Sequence, residues 1–212
     1  MVRALILVDL QYDFCPGGSL AVPRGDETIA VANRVMREFS TVVATQDWHP
    51  ADHKSFAINN PGTRPGDVIE LAGAPQVMWP AHCVQGTPGA RLHEGLEREL
   101  ITEVVQKGTD AAIDSYSGFF DNGRAKATGL ADWLRARDVD QVYVMGLATD
   151  YCVKFTALDA RALGFDVHVI ADGCRAVELQ PGDGERAIAD MRAAGCAIIS
   201  SDALLRTPPT SG

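Results

Sequence analysis

Asp9, Lys107 and Cys152 are a carboxylate, an ammonium group and a thiol, and each stands at or just past the end of a short apolar run. A thiol can attack a carbonyl carbon, a carboxylate can take and return its proton, and an ammonium can hold both in their charged forms. Cys152 opens a helical pattern that Thr149 or Asp150 could cap. That position meets free backbone N–H groups and the positive end of a helix dipole, a setting that favours thiolate. The small residues Gly146-Leu147-Ala148-Thr149 allow a tight turn, so the N–H groups of Ala148 and Cys152 could face a developing oxyanion. Taken singly, Cys152 reads as a small buried apolar residue, Asp9 as a turn cap and Lys107 as a solvated surface lysine. Their shared position at strand ends reverses that reading.

A second set has the character of metal ligands. Asp47-Trp48-His49 places a carboxylate and an imidazole at i and i+2, which in extended chain point to one side. His53 follows four residues later, and His82 lies in Trp79-Pro80-Ala81-His82-Cys83. Such a set suits one divalent metal ion, zinc first, with iron or manganese next. The spacing matches no zinc-finger pattern. His93, in a polar stretch, and His168, inside a strand-like run, read as ordinary structural histidines.

The elements that must position these groups alternate. Strand-like runs are Ala4–Val8, Thr41–Thr45, Ile101–Val105, Val142–Met145, Phe165–Ile170 and Ala197–Ser200. Helical periodicity appears over Asp26–Phe39, Lys126–Arg137, Asp150–Leu163 and Gly184–Ala194. Continuous apolar strands joined by helices imply an α/β fold of three layers (α/β/α, Rossmann-type) on a mostly parallel sheet of about six strands. Ligands then bind outside the carboxyl ends of the strands, where the residues above fall. Residues 46–94 break the rhythm with Gly, Pro, His, Trp and Asn, as a metal- and substrate-binding insertion would within one domain over 1–212. A formal net charge of −9 leaves no basic stripe for nucleic acid. No apolar run is long enough to span a membrane, and none reads as a signal peptide. Five widely spaced cysteines (15, 83, 152, 174 and 196) read as reduced thiols of a cytoplasmic protein. The exposed faces carry no pattern that sets an oligomeric state, so a homo-oligomer is left open.

Read together, LILVDLQYDFCPGGSLAV (5–22), VVATQDWHPADHKSFA (42–57), WPAHCVQGTPGA (79–90), Lys107-Gly108, YSGF (116–119) and GLATDYCVKFTALDA (146–160) resemble the nicotinamidase/pyrazinamidase family of the isochorismatase-like cysteine hydrolases. The resemblance runs from residue 5 to about 160, with a weaker echo over Val167–Val177. It implies an isochorismatase-like fold and hydrolysis of nicotinamide to nicotinate and ammonia, with pyrazinamide as a further substrate. By position, Asp9, Lys107 and Cys152 match the family's catalytic triad. Asp47, His49 and His82 match its metal ligands, and His53 a fourth position that binds metal in some members only. Leu147-Ala148 corresponds to a cis peptide bond at the oxyanion hole. Phe14, Trp79 and Tyr116 match aromatic residues around the substrate ring, with Leu147 beside them, and Tyr151 stands where some relatives have another residue.

Two rival readings are weighed against this one. A carbamoyl or ureido amidase, or a vinyl-ether hydrolase, would keep the fold but would not need the metal-type cluster. A metal-binding regulator that uses Cys152 as an oxidation switch would not need Asp9 and Lys107.

Overall fold

Ala4, Leu5, Ile6, Leu7 and Val8 have no exposed surface. A strand so apolar on both faces can only sit at the centre of a sheet covered from both sides. The computed structural model describes residues 1–71 and 73–206; residue 72 of the insertion and residues 207–212 of the expected domain lie outside them. In it the central strand is β1 (Val2–Val8), followed by α1 (Glu27–Met36), β2 (Val42–Asp47), β3 (Val68–Leu71), β4 (Ala74–Val77), β5 (Glu103–Lys107), α2 (Leu130–Arg135), β6 (Val139–Leu147), α3 (Lys154–Ala162), β7 (Asp166–Arg175), α4 (Asp183–Ala193), β8 (Ala197–Ile199) and α5 (Ser201–Arg206).

Six strands form one sheet in the order β5-β2-β1-β6-β7-β8. Each of its pairings is parallel. Chain order runs outward from β1 through β2 to β5, then returns to β6 on the other side and runs outward again. Right-handed crossovers in opposite directions put helices on opposite faces. Thus α1 and α5 pack together over β7, while α3 and α4 pack together over the sheet's β6–β8 half. The reversal between β1 and β6 is a topological switch point, which opens a crevice at the carboxyl ends of those two strands.

The six expected strands and four expected helices all form, with shifted ends. α2 is shorter than its periodic stretch because Gly129, at φ 92°, turns the chain immediately before it. β7 continues past Ile170 because it bulges: Val144 pairs with Val169, but Gly146 pairs with Cys174. The insertion contains a hairpin, β3–β4, that pairs only with itself. Isolated bridges join its parts to one another, His49 to Val84 and Phe56 to Trp79, and Leu92 to Gln11 of the body.

Candidate active site

Four strand ends meet at the switch point. Asp9 follows β1 in the left-handed region at φ 49°, a conformation that costs a non-glycine residue energy and turns its side chain off the strand path. Asp47 ends β2, Lys107 ends β5, and Cys152 lies in the π-helical turn Thr149–Val153 that links β6 to α3. The Lys107 ammonium is fully buried and lies 2.8 Å from Asp9 Oδ2, 2.6 Å from Asp47 Oδ1 and 3.4 Å from Cys152 Sγ. Its remaining contact is a 2.9 Å hydrogen bond to the Ser115 carbonyl. The sulfur of Cys152 and carboxylate oxygens of Asp9 and Asp47 lie within 4.8 Å of one another. The three residues read as a triad from sequence are therefore in mutual reach.

Burial dominates the electrostatics here. It pushes the Cys152 thiol well up; the Lys107 ammonium opposes this, and the charges of Asp9 and Asp47 add to it. The expectation of a thiolate favoured by a helix start does not hold in this ground state. The turn holding Cys152 is π-helical, and Asp150 does not cap it. Its carboxylate instead accepts the N–H groups of Val177 and Glu178, at 2.9 Å each. Burial also raises Asp9 above an ordinary carboxylate, against the pull of Lys107. For Asp47, burial is overcome by Lys107 and His49, which hold it well below the usual range. Desolvation works against a charged Lys107, yet Asp47 and Asp9 keep it protonated far into alkaline pH. The result is a neutral thiol beside a carboxylate with unusual proton affinity, a pair suited to proton exchange.

The second cluster shares Asp47. Its Oδ2 lies 3.4 Å from His49 Nε2 and 3.7 Å from His82 Nε2, on the far side from Lys107. His49 Nδ1 and His82 Nδ1 each sit 2.8 Å from a backbone carbonyl, of Gly108 and Pro80 respectively. A carbonyl only accepts, so both rings carry hydrogen on Nδ1 and present the Nε2 lone pair inward, as metal-bound histidines do. His49 Nε2 is buried without a hydrogen bond of normal geometry. Against burial, which disfavours a charged ring, Asp47 and Asp114 push His49 up to about 8. A cation would compete with that proton. One carboxylate and two oriented imidazoles within 4.8 Å fit a divalent metal. Gly108 belongs to this arrangement: its φ is 65°, and a Cβ there would overlap the His49 ring.

His53 is placed differently. Its neighbours in that cluster are His49 and Asp114, rather than Asp47 and His82. Its Nδ1 lies 2.8 Å from the Ser55 hydroxyl and 3.1 Å from the Ser55 backbone nitrogen, and its Nε2 is buried without a hydrogen-bond partner among the described residues.

A pocket of about 330 Å³ opens onto both clusters, lined by Phe14, Trp79, Tyr116 and Tyr151 as aromatic walls, with Asp47, His82, Asp114, Ala148 and Cys152 at its polar end. The Tyr116 hydroxyl accepts hydrogen bonds from Gln76 Nε2 at 2.8 Å and Trp79 Nε1 at 3.1 Å, and the rings of Trp79 and Tyr151 meet edge to face. The β3–β4 hairpin, which supplies Gln76, thereby braces the wall. Leu147 lies buried in the apolar core and does not line the pocket; the peptide bond joining it to Ala148 is cis. Sequence reasoning missed Thr45, Gln76 and Asp114. Thr45 stands inside a β-branched run, and Gln76 and Asp114 lie where no periodicity marks them; being polar and buried is their shared signal, and it is visible only in the fold.

The Isochorismatase domain model matches residues 3–203. The nicotinamidase of Escherichia coli (strain K12) is 54% identical over 200 residues, covering 92% of this chain and 93% of that one. A solved nicotinamidase–pyrazinamidase of Acinetobacter baumanii is 45% identical, with a TM-score of 0.93 over 95% of this chain and 97% of that one. The pyrazinamidase of Pyrococcus horikoshii, solved in complex with zinc, is 38% identical, with a TM-score of 0.77 over 94% and 99%. With a parallel six-stranded sheet, a switch-point crevice and this match along nearly its whole length, the chain belongs to the isochorismatase family.

Proposed function

We propose that this chain hydrolyses nicotinamide to nicotinate and ammonia, and pyrazinamide by the same route, through a thioester on Cys152. The observation that carries the proposal is the buried Lys107 ammonium held between Asp9 and Asp47 and touching the Cys152 sulfur, at the polar end of a pocket walled by aromatic rings. The 54% identical relative is a nicotinamidase, which supports the same reading. Asp9 takes the proton of Cys152 as the sulfur attacks the carboxamide carbon, and Lys107 stabilises the charges so formed. The backbone N–H groups of Ala148 and Cys152 hold the oxyanion. The C–N bond breaks, Asp9 returns its proton to the leaving nitrogen, and ammonia departs. Water then attacks the thioester carbon and gives a proton to Asp9; the C–S bond breaks, Asp9 returns that proton to the Cys152 sulfur, and the acid leaves as nicotinate with its own proton lost to solvent.

Asp47, His49 and His82 would hold one divalent ion, zinc first, with iron or manganese next. A cation held there would supply a Lewis acid for a ring nitrogen of the substrate. Phe14, Trp79, Tyr116 and Tyr151 enclose the ring and exclude water. A carbamoyl or ureido amidase would leave the paired imidazoles without a task. The reading is of a cytoplasmic enzyme with a small amide as its partner, without nucleic acid or membrane; all five cysteines are free and buried, which suits a reducing compartment. No helix among the described residues is long and apolar enough to cross a membrane.

Ammonia release from nicotinamide, measured for the parent and for Cys152→Ala with zinc supplied, tests this directly. The parent should turn over and the alanine variant should lose at least about a thousandfold. Substantial turnover by Cys152→Ala rejects the covalent route. An inert parent rejects the substrate.

A further inference from the structure

We propose that Gln11 and Asp13, on the turn that leaves β1, are the positioning residues of the metal-type cluster, each holding the backbone of one ligand-bearing segment; this rests on the reading of Asp47, His49 and His82 as metal ligands. Neither side chain touches that cluster through its own ligand atoms, and neither has a part in the thioester chemistry. Both are buried.

The need for Gln11 follows from the sheet. Pairing between β1 and β2 stops at Leu7 with Ala44, because the chain turns away at Asp9. β2 continues to Asp47, paired on its other side with Lys107 of β5. On the β1 side, the last residue of β2 would be left with unpaired backbone groups. The Gln11 carboxamide takes the place of the missing strand. Its Oε1 accepts the Asp47 N–H at 2.8 Å, and its Nε2 donates to the Asp47 carbonyl at 2.8 Å. The same nitrogen donates to the Ala90 carbonyl at 2.8 Å, which fixes the amide's orientation. A two-point clamp of this kind sets the direction in which the Asp47 carboxylate leaves the backbone.

Asp13 does the same for His82. Its Oδ2 accepts the Cys83 N–H at 2.7 Å, and its Oδ1 accepts the Ser19 N–H at 3.1 Å. The Cys83 carbonyl in turn accepts the His49 N–H at 3.0 Å, so the residue after one imidazole ligand is bound both to Asp13 and to the backbone of the other. Cys83 is held at φ 47°, a conformation that persists in a non-glycine residue only under such constraint. Gly89 packs so closely that a Cβ would overlap the Asp13 carboxylate.

Zinc affinity, measured by competition with a chromophoric chelator, tests the assignment on Gln11→Glu and Asp13→Asn. Gln11→Glu keeps an acceptor for the Asp47 N–H but loses both donations. Groups that orient metal ligands change affinity by about 10- to 100-fold, and each variant should weaken zinc binding by that factor. Ser201→Ala, which removes a buried hydroxyl from α5 bonded to Asp172 and Arg34, should lower Tm yet leave zinc affinity at the parent value. If Gln11→Glu does not fold, Asp13→Asn and Gly89→Ala carry the test, the latter by displacing a carboxylate that is still present. Parental zinc affinity in the variants, or an equal loss in Ser201→Ala, overturns the assignment while leaving the metal reading intact. A parent that binds neither zinc nor iron(II) nor manganese(II) removes the metal reading and this inference with it.

Discussion

Asp9 is raised by burial in spite of a lysine at 2.8 Å, and the group that most directly moderates it besides Lys107 is Thr45. The Thr45 hydroxyl donates to Asp9 Oδ1 at 2.6 Å and accepts the Asp9 N–H at 3.2 Å. A donor to a carboxylate favours its charged form, so Thr45→Val, nearly identical in shape, should raise Asp9 further. A hydrogen bond to a charged group contributes about 1.5–3 kcal/mol, or about one to two pH units. If Asp9 must be ionised to take the thiol proton, the acid limb of kcat/KM moves upward by about that amount, which a pH–rate profile measures. An unmoved limb would separate Asp9 from the proton transfer. Stability follows the same sign. Asp9 has a folded pKa above its ordinary 3.8, so its contribution is complete below that pH and is lost as pH rises through the folded value. Thr45→Val leaves the Asp9 N–H unpaired at every pH, so it should lower Tm in acid and lower it further as pH rises.

At the scale of elements, the site is a set of loops held by carboxylates. Asp150 joins the turn of Cys152 to the chain after β7, where Val177 forms part of the pocket wall, and Glu178 continues the linkage by accepting the N–H groups of Gly182 and Gly184 at the start of α4. Asp150→Asn keeps one acceptor and turns an N–H toward the other backbone donor, a cost of about 1–3 kcal/mol. Because Val177 touches the ring's surroundings and not the reacting atoms, KM for nicotinamide should rise more than kcat falls, and the Val177 and Glu178 amides should exchange faster with solvent. Equal losses in both constants would place Asp150 with the nucleophile instead. This is where the sequence becomes opaque. Strand ends were readable because Ala4–Val8 and Val142–Met145 are uninterrupted apolar runs, and Asp9, Asp47, Lys107 and Cys152 could be placed at them by rule. Asp150 looks like a helix cap two residues before Cys152, and only the approach of the segment after β7 gives it a different acceptor role. The β3–β4 hairpin escaped notice because its strands are four residues each, half-exposed and interrupted by Pro75. Its importance lies in Gln76, which reaches Tyr116 from 40 residues away.

For the whole molecule, the core and the chemistry meet at the carboxyl edge of the sheet. The core runs through β1, β6 and β7 beneath α1 and α3 and takes in Phe14, Ala148 and Cys152, while Asp47, His49 and His82 are buried polar groups beside it. Those three stand at the sheet's carboxyl edge, each fixed by contacts that do not need an ion: Gln11 for Asp47, Gly108 for His49, Pro80 for His82. A preformed site of this kind binds its ion without having to order the chain, so removal of the ion should be felt by function and barely by secondary structure. Treatment with a strong chelator should abolish turnover of nicotinamide while the far-ultraviolet circular dichroism is unchanged, and zinc should restore the activity. An ion that binds the native state alone still stabilises it by mass action, about 2.7 kcal/mol at a hundred times its Kd. For a chain of 212 residues that corresponds to a rise in Tm of about 5–11 °C on adding zinc to the chelated protein. The rise should vanish in a variant carrying both His49→Ala and His82→Ala, measured by calorimetry at matched zinc concentration. A chelated protein that unfolds outright would instead make the ion part of the fold, and a Tm indifferent to zinc in the parent would leave the oriented imidazoles with no ligand to bind.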